Sequence, residues 1–373
     1  MLLGLLSVFL LGAFLATYFI IPKIIKVVFY KKLLDEPNKR SSHTKVTPTL
    51  GGVAFFITLI LSFFFLKKWD EETISLSLMV SLTVLFIIGL KDDLVALSAT
   101  TKSIAQLLAI TFLVYDNNLL IESLGGFLGI TQLNYWACLF FIYFSTFFII
   151  NSFNLIDGID GLASSIGITI FTFFAVIFYF LGQNYYLFLC VVLVGTLLAF
   201  LTYNLSEKKK IFMGDTGSMI IGFLIAVLAF KILTHQKEIE VIGVLPENLP
   251  IILTSIISIP ILDTIRVFII RTVNKRSFFI ADRNHVHHIF VDRGFTHKKA
   301  TLFIVIINMI ITSLVYLLST RLNSFFLLLF FIFLSIIFYL AIFYLLKKNE
   351  SKELKKNSNL LYRVADSILS IFL

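Results

Sequence analysis

Residues 134–150 and 162–181 contain no charged side chain, and each is close to the roughly 20 apolar residues that a helix needs to cross a bilayer. The link between them, 151–161, carries Asn151, Asn154, Asp157 and Asp160. Comparable apolar runs recur along the chain at 3–22, 50–66, 75–90, 103–121, 184–203, 218–235, 250–271, 301–318 and 323–346. In hydrocarbon the backbone must satisfy its own hydrogen bonds, which leaves helices or closed barrels. Barrel strands read as short alternating segments, and these runs are solid. The expectation is an all-α polytopic integral membrane protein with about eleven transmembrane helices. One domain covers 1–346, and a basic tail covers 347–373. Composition agrees: 14% of residues are charged and 58% hydrophobic, against about 25% charged in soluble domains. The first basic residue is Lys23, as expected of a retained first span rather than a cleaved signal peptide.

The polar links sort into two sets. The set following odd-numbered runs, together with the tail, holds 26 of the 31 Lys and Arg residues, and Lys67, Lys68, Lys231, Lys237 and Arg321 lie on the other side. The positive-inside rule makes the rich side cytoplasmic and puts the N-terminus outside. It also accounts for the net charge of +9 without nucleic acid, which is not an expected partner. Cys138 and Cys190 both lie in apolar runs and have no metal-ligand spacing. In the tail, apolar residues at 360, 361, 364, 368, 369 and 372 suit an amphipathic helix lying on membrane lipid.

The acids collect on the rich side. Asp92-Asp93 follows the third run; adjacent carboxylates can take a proton or bind Mg²⁺, which usually keeps several waters and needs only one or two carboxylates. If 151–160 is helical, its spacing of three lines Asn151, Asn154, Asp157 and Asp160 along one face, more such residues than a cap requires. In "FMGDTGS", 212–218, Asp215 stands where a helix starts; free N–H groups there suit phosphate, and the acid suits a metal that bridges phosphate oxygens. "ADRNHVHHIFVDRGF" brings Asp282, Arg283, His285, His287 and His288. With no Cys partner and no HExxH, these histidines suit phosphate or sugar oxygens better than zinc. Asp263 lies inside a run after Pro260, with Arg266 at i+3 as a structural partner, and Arg271 stands where it can meet a phosphate. The basic residues of loop 35–52, Lys45 among them, suit lipid headgroups or substrate.

Asp92-Asp93, "NLIDGIDGL", "MGDTGS" and "DRNHVHH", in that order and on one side of the membrane, resemble the polyprenyl-phosphate N-acetylhexosamine-1-phosphate transferases of glycosyltransferase family 4. The resemblance runs from about Asp35 to Phe295. It implies a cytoplasm-facing cleft in a bacterial inner membrane, Mg²⁺ or Mn²⁺ as cofactor, a UDP-N-acetylhexosamine donor and undecaprenyl phosphate as acceptor. The reaction would release UMP and start a cell-surface polysaccharide. By motif, Asp92 and Asp93 would bind metal or help activate the lipid phosphate, Asp157 and Asp160 would line the catalytic cleft, and Asp215, with Asp93, would hold the metal. Asn151, Asn154, Lys45, Arg271, His285, His287 and His288 would bind substrate. "DEPNKRSSH" and "DRNHVHH" look like the GlcNAc-1-phosphate branch; in the translocase branch the motif reads HHH followed by an acid, and here Val286 and Phe290 intervene. The translocase also has a Lys within three residues of the paired Asp, whereas the nearest after Asp93 is Lys102. A homodimer is compatible with this reading. The rival class is a transporter or carrier using the same carboxylates, but transporters place ionisable groups near the midplane, and here Asp263 is the main such case.

Overall fold

A computed structural model describes residues 2–31, 34–35, 47–115, 119–273 and 285–347. Lys45, Asp282, Arg283 and the tail expected to form an amphipathic helix lie outside the described residues. Thirteen helices are described: α1 Leu2–Lys31, α2 Gly51–Leu66, α3 Ile74–Leu94, α4 Ala99–Tyr115, α5 Tyr135–Ile156, α6 Leu162–Phe180, α7 Asn184–Asn204, α8 Gly214–Thr234, α9 Leu249–Ile256, α10 Ser258–Val273, α11 Val286–Asp292, α12 His297–Ser319 and α13 Ser324–Lys347. The strands β1 Leu34–Asp35 and β2 Thr47–Pro48 form one short antiparallel bridge.

Nine described helices are long and apolar enough to span a membrane. Two of the eleven expected runs differ. The run 103–121 forms α4, a shorter helix of 17 residues. The run 250–271 is not straight: α9 and α10 meet at a 74° bend. Pro260, in the first turn of α10, has no N–H to return to Ile256. In lipid the freed carbonyls need donors, and α12 supplies them. Asn308 Nδ2 donates to Ile256 O (3.2 Å) and Thr312 Oγ1 to Ser255 O (3.0 Å), while Ser258 Oγ donates to Asn308 Oδ1 (2.9 Å).

Helix α8 is the centre of the bundle; every residue from Thr216 to Leu233 is buried. It packs against α2, α3, α5 and α6. Lipid tails are as apolar as leucine, so these contacts depend on close backbone approach rather than on the hydrophobic effect. Gly52 of α2 lies so near Gly217 of α8 that any Cβ would collide with the Gly217 backbone. Gly52→Leu is therefore expected to separate the two helices and cost at least about 2 kcal/mol, by analogy with overpacked cores, read as a lower unfolding midpoint in detergent. At one end of the bundle, Lys231 near the C-terminus of α8 is buried and paired with Glu72 before α3 (2.5 Å), which also accepts from Tyr186 of α7 (2.5 Å). The opposite end brings together the C-termini of α3 and α5 with the N-termini of α4, α6, α8 and α12.

Candidate functional site

Asp92 and Asp93 lie in the last turn of α3, not beyond it, because nothing breaks the helix before the extended Val95. Carboxylates at a helix C-terminus oppose its dipole. The fold offsets this by pointing them at the N-terminus of another helix. Asp93 Oδ1 accepts from Asp215 N (2.7 Å), and Oδ2 accepts from Thr216 N (3.2 Å) and Thr216 Oγ1 (2.5 Å). Asp93 thus caps α8 from a distant part of the chain. Gly214 makes this possible: its φ is +73°, and a Cβ there would meet both Asp93 carboxylate oxygens at 2.7 Å.

Asp92 turns the other way. Its Oδ1 accepts from Leu97 N (2.7 Å) and its Oδ2 pairs with Lys102 Nζ (2.5 Å). The same ammonium binds Asp215 Oδ2, while Asp215 Oδ1 accepts from Asn154 Nδ2 (3.0 Å). Asn154 also donates to Ser218 Oγ (2.7 Å). Asn151 sits one turn deeper and donates to Gln106 Oε1 (2.8 Å) and Phe147 O (2.7 Å). Motifs at 92, 154 and 215 therefore share one constellation, with Lys102 at its middle.

The four residues expected on one helical face do not share one. Helix α5 ends at Ile156, and the chain turns through Gly158 and Gly161, the latter at φ +81°. Asn151 and Asn154 stay on α5, Asp157 begins the turn, and Asp160 points elsewhere. Asp160 Oδ2 meets Lys210 Nζ (2.6 Å) and His297 Nδ1 (2.9 Å), tying the loop before α8 to the start of α12. Burial pushes the Asp160 carboxyl up, but the His297 and Lys210 contacts outweigh it and hold it below the usual range. Among the described residues Asp157 has no such cation. Burial, with the charges of Asp215, Asp93 and Asp160, pushes its carboxyl up to about 7.

A sign follows from that shift. A carboxyl that binds its proton more tightly folded than unfolded destabilises the fold as pH rises from about 4 through about 7. Without divalent cation, Asp157→Asn is expected to raise the unfolding midpoint at about pH 8 and to raise it much less at about pH 4. Equal midpoints at both pH values would contradict it.

The histidine segment closes over this turn. His285 Nδ1 meets Asp263 Oδ2 at 2.8 Å. Asp263 also pairs with Arg266 (3.0 Å), as the i+3 spacing suggests. His287 is 2% exposed, its Nε2 has no hydrogen-bond partner among the described residues, and a Cβ on Gly158 would overlap that nitrogen. Burial, with His288 next in effect, pushes the His287 ring down to about 3, so it is neutral. His288 lies beside it, ring centroids 4.3 Å apart, and Arg271 is buried in the last turn of α10. Lys102, Lys210, His297 and the Asp263–His285 contact were not marked as site features by the sequence motifs; a lone Lys or His carries no spacing signal.

Among the described residues no three His, Cys, Asp or Glu side chains surround one metal position. Mg²⁺ does not require three: one or two carboxylates suffice, with water and phosphate oxygens completing the shell. Asp92 and Asp215 already share one cation, the Lys102 ammonium, so this pair fits a divalent ion. Both oxygens of Asp93 accept hydrogen bonds from α8, and the carboxylate that shares the Lys102 ammonium with Asp215 is Asp92.

The profile described as glycosyl transferase family 4 matches residues 75–233, from the start of α3 to the end of α8. The chain is 30% identical over 298 residues to a probable undecaprenyl-phosphate N-acetylglucosaminyl 1-phosphate transferase of Bacillus subtilis, covering 79% of this chain and 80% of that one. It is 28% identical over 290 residues to an undecaprenyl-phosphate alpha-N-acetylglucosaminyl 1-phosphate transferase of Escherichia coli O157:H7, covering 76% and 75%. A protein of the same name from Salmonella typhi is 29% identical over 303 residues, covering 79% of each chain. At 30% identity over four fifths of the Bacillus subtilis relative, and with the family profile matched from α3 to α8, the chain belongs to glycosyl transferase family 4, the polyprenyl-phosphate hexosamine-1-phosphate transferases.

Proposed function

We propose that this protein transfers GlcNAc-1-phosphate from UDP-GlcNAc to undecaprenyl phosphate and releases UMP. The names of its relatives support the acceptor and the sugar. The observation that carries the reading is the constellation of Asp92, Lys102, Asn154 and Asp215 at one end of the bundle. These residues lie at helix ends, and a site at headgroup depth would let a lipid phosphate and a soluble nucleotide both arrive. The loops on this side are the Lys- and Arg-rich ones, which supports a cytoplasmic site in the inner membrane.

An oxygen of the lipid phosphate attacks the sugar-bearing phosphorus of the donor; the bridging P–O bond to UMP breaks, and UMP leaves as the anion. A phosphate with a second pKa near 6 is mostly dianionic at neutral pH, so the nucleophile needs no strong base. The difficulty is repulsion between two anions. Asp92 and Asp215 would hold Mg²⁺, which when bound offsets charge on the pyrophosphate and on the leaving UMP. Lys102 adds a cation at the same point, and Lys210 adds another beside Asp160, which His297 also contacts. Asn154 orients Asp215 from the other side.

The test is turnover by purified protein with undecaprenyl phosphate, Mg²⁺ and radiolabelled UDP-GlcNAc, UDP-GalNAc or UDP-glucose. Equal amounts of lipid-linked GlcNAc-1-phosphate and UMP are expected. Labelled sugar nucleotide crossing a vesicle without a lipid product would favour a carrier.

A further inference from the structure

We propose that Asp263 is a positioning residue: it fixes one ring tautomer of His285 and seats the histidine segment on the aspartate turn. The inference rests on the proposed function and on the substrate-binding role that the resemblance implies for His285, His287 and His288.

Asp263 is 2% exposed, within the bent span after Pro260. An acid there needs partners, and Arg266, one turn along, would suffice for charge. Yet two of its three donors come from beyond residues 274–284. His285 Nδ1 lies 2.8 Å from Oδ2, and Val286 N, the first amide of α11, donates to Oδ1 at 3.0 Å. Oδ1 also takes Arg266 at 3.0 Å. One carboxylate thus satisfies an otherwise orphaned helix amide and grips the ring beside it.

The ring contact has a chemical consequence. An ionised carboxylate only accepts, so the neutral imidazole must carry its proton on Nδ1. Nε2 is then left with its lone pair, always in the same place. His285, 5% exposed, stacks on His287 with centroids 5.7 Å apart and planes 10° apart. The unpartnered Nε2 of His287 rests against Gly158, next to Asp157. Buried contacts therefore run from α10 through two rings to the aspartate turn. Without Asp263 the first ring can flip, and the amide of Val286 loses its acceptor.

The experiment labels the six histidines with ¹⁵N and reads ring tautomers by NMR at about pH 8.5, above the usual imidazole range; the His285→Gln variant assigns its signal. Wild type is expected to show His285 protonated on Nδ1. In Asp263→Asn the side-chain amide can donate, and the proton moves to Nε2. In the transfer assay that variant is expected to raise the KM for the UDP-sugar by about 10- to 100-fold, the scale of losing a group that orients a functional histidine. The KM for undecaprenyl phosphate stays within about twofold, and Asp263→Glu recovers part of the loss. Partial unfolding would instead lower kcat and leave both KM values alone. A wild-type His285 protonated on Nε2 overturns the proposal even if no variant folds, as does an unchanged donor KM in folded Asp263→Asn. Wild-type protein that makes no lipid-linked GlcNAc-1-phosphate, but shows the Nδ1 tautomer, refutes the proposed reaction and leaves the positioning intact.

Discussion

Asp215→Asn is expected to lower formation of the lipid-linked product at least about 100-fold, the scale of losing one electrostatic group in a reaction centre. Its unfolding midpoint is expected to stay close to that of the wild type. The two expectations separate charge from shape. Asparagine has the size of aspartate and keeps an oxygen for Asn154 Nδ2, now 3.0 Å away. What it removes is the negative charge facing Lys102 and Asp92. That charge repels Asp93 and Asp157 but is held by Lys102 and Asn154; its loss removes attraction and repulsion together and should not loosen α8. If the charge serves to hold a divalent ion, EDTA should abolish turnover in the wild type and take nothing further from the variant. Full activity of Asp215→Asn in metal-free buffer would end this reading.

Asp93→Ala is expected to fail differently, by loss of both structure and turnover. Three donors converge on its carboxylate: the amides of Asp215 and Thr216 and the Thr216 hydroxyl. Truncation leaves them facing a gap at the start of the most buried helix in the bundle. Each stranded donor costs about 1–3 kcal/mol, so the three, which are themselves the lost cap, are expected to cost at least about 3 kcal/mol together. Asp93→Asn should fall between, since its one oxygen can still accept while its NH₂ opposes the remaining donors. Thermal unfolding in detergent, with proteolysis of the loop before Gly214, measures the order: wild type, Asn, Ala. An Asp93→Ala protein as stable as wild type would show that α8 needs no cap from α3.

The fold class was legible because solid apolar runs admit few structures in a bilayer; the bend before Pro260 was not, since the run 250–271 is unbroken in hydropathy. The Asp263–Arg266 pair was legible too, because an i+3 spacing is local. What was not legible depends on how separate helix ends meet. Nothing in the spacing of Lys102, Lys210 or His297 says that each will face an aspartate many residues away. The face imagined for Asn151 to Asp160 assumed a helix that Gly158 and Gly161 interrupt, and the turn sends Asp160 to α12 instead. Likewise His285 reads as a free ligand in its motif, while the fold engages its Nδ1 with Asp263.

The account stands on Asp92 and Asp215 forming one cation site from α3 and α8, and Mn²⁺ titration followed by electron paramagnetic resonance tests it most directly. The predicted result is one site per chain, weakened at least about tenfold in both Asp92→Asn and Asp215→Asn, as expected when a hard ion loses one of two carboxylates. His297→Gln, which touches only the Asp160 cluster, should bind Mn²⁺ as the wild type does. Mn²⁺ binding of undiminished affinity in both aspartate variants would contradict the account.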